Sequence, residues 1–377
     1  MTRASFIALP LLLVPAILCA CDRAESSGSG MPLESAGKRL LQLRTLTQLL
    51  PSRKTNLSVD RLGQIFWVQE SETHQDVLFM IGDGGIPRAT RLTTPGILAA
   101  LADAGDTAGD GAAGGNIRAI TTGEGGVYFF FYGFKGNASK ACLGQYVPQS
   151  GRIRILAPTA AIEKASGMGR SMELARASLV TSDQTIYLWL RHSDVSVFFA
   201  FEPRAMTSVP LALRVPFDKI VTEEGQPLPL TRNDIEMSPA PGGGLFLLDV
   251  TSALLWQVDR TGLASARLPL TGLPKSVAPP TVTADGRLLL FAPEDELIGT
   301  DLQVLSRQDL PKVQYPALLE VVSNNQITAI PREDFRAHAG FPVYTLHLGR
   351  LVPETPTSYV SYDATSGALM RVKVVEQ

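Results

Sequence analysis

The feature that most constrains this chain is a recurring pattern in which a polar turn rich in Asp, Gly or Ser leads into a short apolar or aromatic run. It is clearest where Asp60-Arg61-Leu62-Gly63 precedes Ile65-Phe66-Trp67-Val68, and where Gly123-Glu124-Gly125-Gly126 precedes Val127-Tyr128-Phe129-Phe130. It returns with Ser182-Asp183-Gln184 before Ile186-Tyr187-Leu188-Trp189, with Pro241-Gly242-Gly243-Gly244 before Leu245-Phe246-Leu247, and with Ala284-Asp285-Gly286 before Leu288-Leu289-Leu290. A degenerate copy, Ser323-Asn324-Asn325-Gln326, precedes Ile327. Such turns supply the positive φ that tight hairpins need, and β-branched and aromatic residues fill the strands. Aligned on Ile65, Val127, Ile186, Leu245, Leu288 and Ile327, the units lie 62, 59, 59, 43 and 39 residues apart. A period of this size marks a β-propeller with one four-stranded blade per repeat. The expectation is therefore an all-β, six-bladed β-propeller, with a seventh blade still compatible with the length, in which the six aligned residues are buried between adjacent sheets. Tyr359–Val374 reads as the closing hairpin, completed by a strand from Leu40–Leu49. A two-sheet sandwich is the competing architecture, and it would not require so long a regular period.

The N-terminus carries a different message. After Arg3, an apolar run extends from Phe6 to Ala20, broken by Pro10 and Pro15, and ends in Leu18-Cys19-Ala20-Cys21. The run is too short to cross a bilayer comfortably, which is the shape of a signal peptide. Leu18–Cys21 resembles the lipobox of bacterial lipoproteins, whose final cysteine becomes the acylated first residue. That resemblance implies a cleaved signal helix over 1–20, lipidation at Cys21 with palmitate-type chains, and a location in the cell envelope, facing the periplasm or the exterior. An ordinary secretory signal with a cysteine near the cut is the plainer reading. Residues 21–38, rich in Ser, Gly, Glu and Ala, bury almost nothing and read as a flexible tether. The propeller domain then occupies 39–377. Asp22, directly after the cysteine, is similar to an inner-membrane retention signal.

Cleavage removes only Arg3 among the charged residues, so 33 basic residues face 36 acidic ones, a net of −3. This balance argues against a nucleic-acid partner, which favours a basic patch. With Cys19 removed and Cys21 lipidated, Cys142 is left alone, so no intramolecular disulfide forms and stability comes from the core.

Chemistry is thinly signalled. His74, His192, His338 and His347 form no His-x-x-x-His pair, and zinc needs three or four convergent ligands. Gly82–Gly85 and Asp103–Gly111 are Gly/Asp-rich, yet no Lys-Ser/Thr follows to make a phosphate loop and no glutamate completes a calcium loop. Inter-blade connectors explain both. Cys142 reads as a buried thiol without a nearby base, and Trp67, Trp189 and Trp256 as packing between blades rather than a sugar platform.

Two segments carry a family resemblance. Leu245 to Gly262 (Leu-Phe-Leu-Leu-Asp-Val-Thr-Ser-Ala-Leu-Leu-Trp-Gln-Val-Asp-Arg-Thr-Gly) resembles an NHL repeat. Gly82-Asp83-Gly84-Gly85-Ile86-Pro87-Arg88-Ala89-Thr90 resembles the Gly-Asp-Gly-Gly-Pro-Ala-Thr connector of bacterial NHL proteins, departing from it at Ile86 and Arg88, and Thr107–Ala113 resembles a decayed copy. This implies architecture more than activity, since NHL-like propellers include binding scaffolds, signalling ectodomains and enzymes. Lactonase-type propellers similar to gluconolactonase hold one axial metal with Glu, Asn and Asp. The residue types available here for such a set are Asn56, Asp60, Asn233, Asp234, Glu236, Asn324 and Asn325, most of them in turn positions. No catalytic, cofactor-binding or metal residue is assigned, and structural Ca2+ or a channel metal stays open. The resulting expectation is a lipid-anchored, non-catalytic binding or scaffold module for an envelope protein or glycan, attached to the membrane only by its lipid. A metal-dependent hydrolase, lactonase or lyase in the central channel is the alternative. The contact surface is expected towards blades one to three, on Ile81–Asn116 and Pro158–Glu173, with Asp103–Gly115 dispensable for folding.

Overall fold

A computed structural model describes residues 38–49, 56–70, 75–82, 85–106, 114–135, 138–166, 174–192, 195–201, 221–222, 225–226, 235–240, 243–249, 254–259, 263–269, 280–283, 287–292, 316–321, 327–337, 341–343 and 346–377. The signal helix, Cys21 and the tether up to residue 37 lie outside the described residues.

Six sheets follow one another along the chain. Blade one comprises Leu57–Val59, Ile65–Glu70, Asp76–Ile81 and Pro87–Thr93; blade two comprises Gly115–Gly123, Gly126–Lys135, Ala138–Val147 and Arg152–Ala157. Blade three contributes Leu174–Ser182, Thr185–His192 and Val195–Phe201. Blade four is Ile235–Pro239, Leu245–Asp249, Leu254–Val258 and Leu263–Pro269, with Val221–Thr222 added in parallel at its outer edge. Blade five is Thr281–Val282, Leu288–Ala292, Ala317–Val321 and Ile327–Ile330. Blade six is Val352–Thr355, Ser358–Tyr362 and Ala368–Glu376, and its fourth strand is the N-terminal Arg39–Gln48. That strand pairs antiparallel with the chain's last strand, from Arg39 opposite Glu376 to Gln48 opposite Ala368, so the two ends of the domain close the ring.

Each sheet is buried on both faces, which explains why its second strand reads as a continuous apolar run rather than an alternating one. Alternate side chains serve different neighbours. Phe129 and Phe131 pack with Phe66 and Val68 of blade one, whereas Tyr128 and Phe130 pack with Leu179 and Ile186 of blade three. Tyr187 and Trp189 meet Ile235 and Leu247; Phe246 and Leu248 meet Leu288 and Leu290; Leu289 and Phe291 meet Leu41 and Tyr359. Val360 and Tyr362 meet Ile65 and Trp67, which returns to blade one. Six apolar layers thus separate six blades.

Ile65, Val127, Ile186, Leu245 and Leu288 occupy equivalent places at the start of the second strand, all buried against the preceding blade. Ile327 does not. It opens the outer strand of blade five, opposite Val321, and the sixth equivalent residue is Tyr359, opposite Pro353 and buried against blade five. Residues 293–316, between the second and third strands of blade five, displace its outer strand to where a new unit was due.

Two short helices interrupt the β-architecture. The first, α1 (Thr94–Asp103), starts after Thr93, whose hydroxyl accepts from the Gly96 N–H at 3.2 Å, has Pro95 in its first turn and buries Ile97 and Leu101. The second, α2 (Thr159–Ser166), follows blade two. Their first residues do the same work: Thr94 Oγ1 accepts the Asp76 N–H at 3.1 Å, and Thr159 Oγ1 accepts the Ala141 N–H at 3.2 Å. Each helix is thereby pinned to the third strand of the blade it leaves.

Candidate functional site

The innermost strand of every blade presents an unpaired backbone edge, and such edges need partners. Among the described residues, five of the six blade junctions supply one through a Ser or Thr at the inner strand. Thr122 N–H donates to Ser58 Oγ at 2.9 Å, and the Thr122 hydroxyl donates to the Val59 carbonyl at 2.6 Å. Thr181 N–H donates to Thr121 Oγ1 at 3.1 Å, and the Ser182 hydroxyl donates to the Ala240 carbonyl at 3.2 Å. Ser238 and Thr281 continue the hoop by donating to the carbonyls of Pro280 and Leu351. These hydroxyls recur in the sequence just before each turn, where they read only as turn residues.

Arg350, at the approach to blade six, crosses this inner edge. Its guanidinium donates to the Met237 carbonyl at 2.7 Å and to Ser238 Oγ at 3.0 Å, both on blade four. Blade five lies between, so the side chain spans it on the channel side. Burial lowers the Arg350 pKa from its ordinary value, and the Glu236 charge opposes that shift.

Where the first and second strands of blades four to six turn, the surface opens into a cavity of about 420 Å3. Pro239, Ala240, Val282, Pro353, Pro356 and Tyr359 line it, with Thr283 and Glu354 as polar groups. The Glu354 carboxylate is already engaged: it accepts from Arg371 Nε at 2.6 Å and from the Ser358 hydroxyl at 2.9 Å. Pockets that are mostly apolar with a few fixed polar groups suit ligand capture. A smaller cavity of about 170 Å3, between blades two and three on the same face, includes Glu124, Tyr128, Gln145, Arg154 and Asp183. There the Tyr128 hydroxyl donates to the Glu124 carbonyl at 2.6 Å and receives Gln145 Nε2 at 3.2 Å. Burial, then the Glu124 charge, pushes its pKa up to about 12.

The residues singled out in the sequence are dispersed. Asn56 donates to the Ile117 carbonyl at 3.1 Å and ties blade one to blade two. Asp60 caps its own turn, accepting from the N–H groups of Leu62 and Gln64 at 2.9 and 2.8 Å. Glu236 lies on the inner strand of blade four, half-buried. His347 is half-buried and its N–H donates to Asp363 at 2.8 Å; the backbone of His192 pairs with Leu174 and Val195. Asn233, Asp234, Asn324, Asn325, His74 and His338 lie outside the described residues, as do Asp83, Gly84 and 107–113. Trp67, Trp189 and Trp256 are buried between blades, Trp67 stacked on Phe79 at 5.4 Å, so none offers a face to a ligand. Cys142 is fully buried, and burial followed by the Asp106 charge drives its thiol pKa well above the ordinary value. Among the described residues, no group of three or more His, Cys, Asp or Glu could hold a metal ion, and no helix is long and apolar enough to cross a membrane.

The segments expected to form the contact surface are in part helical. Ile81–Asn116 contains α1 and Pro158–Glu173 contains α2. Nor is Asp103–Gly115 structurally idle. Asp106 Oδ2 accepts the Thr159 N–H at 3.1 Å, Lys140 donates to the Asp106 carbonyl at 3.4 Å, and Gly115 pairs with Gly133 in blade two. A Cβ at Gly115 would lie 2.2 Å from Phe131, so the position needs glycine. A composition rich in Gly, Ala and Asp conceals these long-range contacts.

No protein-family model matches the chain, and no curated protein matches it in sequence. Solved structures do. A protein of unknown function from Bacteroides thetaiotaomicron superposes with a TM-score of 0.47 at 10% identity, over 90% of this chain and 77% of its own. A gluconolactonase from Xanthomonas campestris gives 0.46 at 10% identity, over 88% and 89%. The PQQ-bound aldose sugar dehydrogenase of Streptomyces coelicolor gives 0.46 at 10% identity, over 90% and 99%. At these values nothing about activity passes to this chain.

Proposed function

We propose that this chain is a lipid-anchored, NHL-like propeller of the bacterial cell envelope that binds a protein or glycan partner without catalysing a reaction. The observation that carries the binding reading is the apolar-lined cavity on blades four to six, whose one carboxylate, Glu354, is held by Arg371 and Ser358 instead of being directed at a substrate. The NHL-like assignment draws on Leu245–Gly262, whose Asp259 closes the turn between the third and fourth strands of blade four by accepting the Leu263 N–H at 3.0 Å. Anchoring draws on Leu18–Cys21, which lies outside the described residues.

Thr355 is exposed on the cavity lip, so Thr355→Arg blocks the cavity without disturbing the core. Cross-linking in native envelopes, followed by capture, is expected to recover a partner with the wild-type chain and lose it with this variant. A stoichiometric metal in the purified protein, together with hydrolysis of a lactone, would replace this reading with the enzymatic one. Anchoring is tested separately by metabolic labelling with a fatty acid, which Cys21→Ala is expected to abolish.

A further inference from the structure

The chain enters the propeller on the face where the most exposed large aliphatic side chains among the described residues stand. Arg39 lies opposite Glu376, at the end of the third strand of blade six remote from the 363–367 turn, and Gln377 N–H donates to the Lys38 carbonyl at 2.8 Å. This is the face of the first-to-second and third-to-fourth strand turns. On it, neighbouring blade one presents Leu62, 73% exposed, and Ile86, 67% exposed. Their turns end adjacent hairpins of one sheet, since Ile65 pairs with Ile81 and Ile81 with Pro87. Both turns are closed: Gly63 N–H donates to the Asp60 carbonyl at 3.1 Å, and Gly85 N–H to the Gly82 carbonyl at 3.0 Å. Exposed Arg61 and Arg88 flank the two aliphatic groups. A single exposed aliphatic needs no explanation, but a pair on neighbouring turns beside basic residues is an arrangement suited to a membrane interface.

We propose that the blade-one corner of this face rests on the lipid surface, with Leu62 and Ile86 inserted at the boundary between headgroups and acyl chains and Arg61 and Arg88 among anionic headgroups. The inference rests on the anchoring of Cys21 argued above. The argument for lipid as the occupant is the attachment itself. Residues 21–37 span at most about 60 Å when fully extended, which confines the domain near the bilayer. They join it at blade six, next to blade one and on the same face. In a ring of six, blade four lies opposite blade one, so contact at this corner tilts the ring and keeps the cavity of blades four to six accessible.

The test separates this contact from biological lipidation. The mature chain, residues 21–377, is coupled through Cys21 to a maleimide-bearing lipid in phosphatidylcholine–phosphatidylglycerol vesicles; buried Cys142 does not compete. Hydrogen exchange is then compared with the uncoupled chain. Amides of 61–64 and of Gly85, Ile86 and Arg88 are expected to slow about tenfold, those of 363–367 on the opposite face to stay unchanged, and Leu62→Glu combined with Ile86→Glu to remove the slowing without altering far-UV circular dichroism. Absence of slowing, slowing at 363–367, or slowing that survives the double substitution overturns the proposal. Fatty-acid labelling reports on lipidation independently.

Discussion

Glu320, on the third strand of blade five, pairs with Arg39 of the N-terminal strand that closes blade six. The same carboxylate holds Arg287 at 2.6 Å and accepts the Thr328 hydroxyl at 3.3 Å, and its side chain is only 7% exposed. Propellers close by pairing the two ends of the chain, and here an ion pair between sheets reinforces that closure. Removing one member of a buried pair leaves the others uncompensated, so Glu320→Gln is expected to cost about 3 kcal/mol. Urea unfolding measures it. A loss below about 1 kcal/mol would show that the pair is incidental to closure, as exposed pairs are.

The hydroxyl hoop predicts a cost that side-chain volume does not. Thr121→Val keeps the shape but leaves the Thr181 N–H without its acceptor, which costs about 1–3 kcal/mol for a buried donor. Thr357→Val, in the exposed turn before the second strand of blade six, serves as the surface control. Hydrogen exchange at Thr181 is expected to quicken in the first variant alone. Equal stability of the two variants would remove the hoop from the account of how blades are joined.

Asp106→Ala is expected to destabilise by about 1–3 kcal/mol, since it strips the acceptor from the Thr159 N–H at the start of α2. Deleting Asp103–Gly115 is expected to be far worse, because it removes both Asp106 contacts together with Gly115, which pairs with Gly133 in blade two. Thermal unfolding of both variants checks the ordering, and a deletion as stable as the single substitution would contradict these contacts.

Five blades were legible because burial on both faces forces a long apolar run into the second strand, and Ile65, Val127, Ile186, Leu245 and Leu288 mark it. The closing hairpin was legible for the same reason, and Asp363 fixes its turn by accepting the Ser366 N–H at 3.1 Å. The sixth mark slipped to Ile327 because local pattern does not distinguish a fourth strand from a second one. The helices were hidden in what read as connectors: α1 buries only Thr94, Ile97 and Leu101, too few for a strong 3.6-residue period. The cavity was not legible at all. Its Pro239, Val282 and Tyr359 come from three blades, and only the closed ring brings them together.

The buried thiol is expected to make the fold sensitive to alkaline pH. The folded pKa of Cys142 lies above its ordinary value of 9.0, chiefly through burial. The folded state therefore retains a proton that the unfolded chain releases. The resulting stability is fully present below pH 9 and is lost as pH rises towards the folded pKa, at about 1.4 kcal/mol per pH unit. Tyr128, pushed up to about 12 from 10.0, acts in the same direction once pH exceeds 10. Urea midpoints at constant ionic strength are expected to be flat with respect to these two groups from pH 7 to 8.5 and to fall between pH 9 and 10. Cys142→Ala removes the first titration, so its midpoint should hold up to pH 10 and decline only where Tyr128 begins to ionise. Identical declines for the wild type and the variant between pH 9 and 10 would mean that another group controls alkaline unfolding.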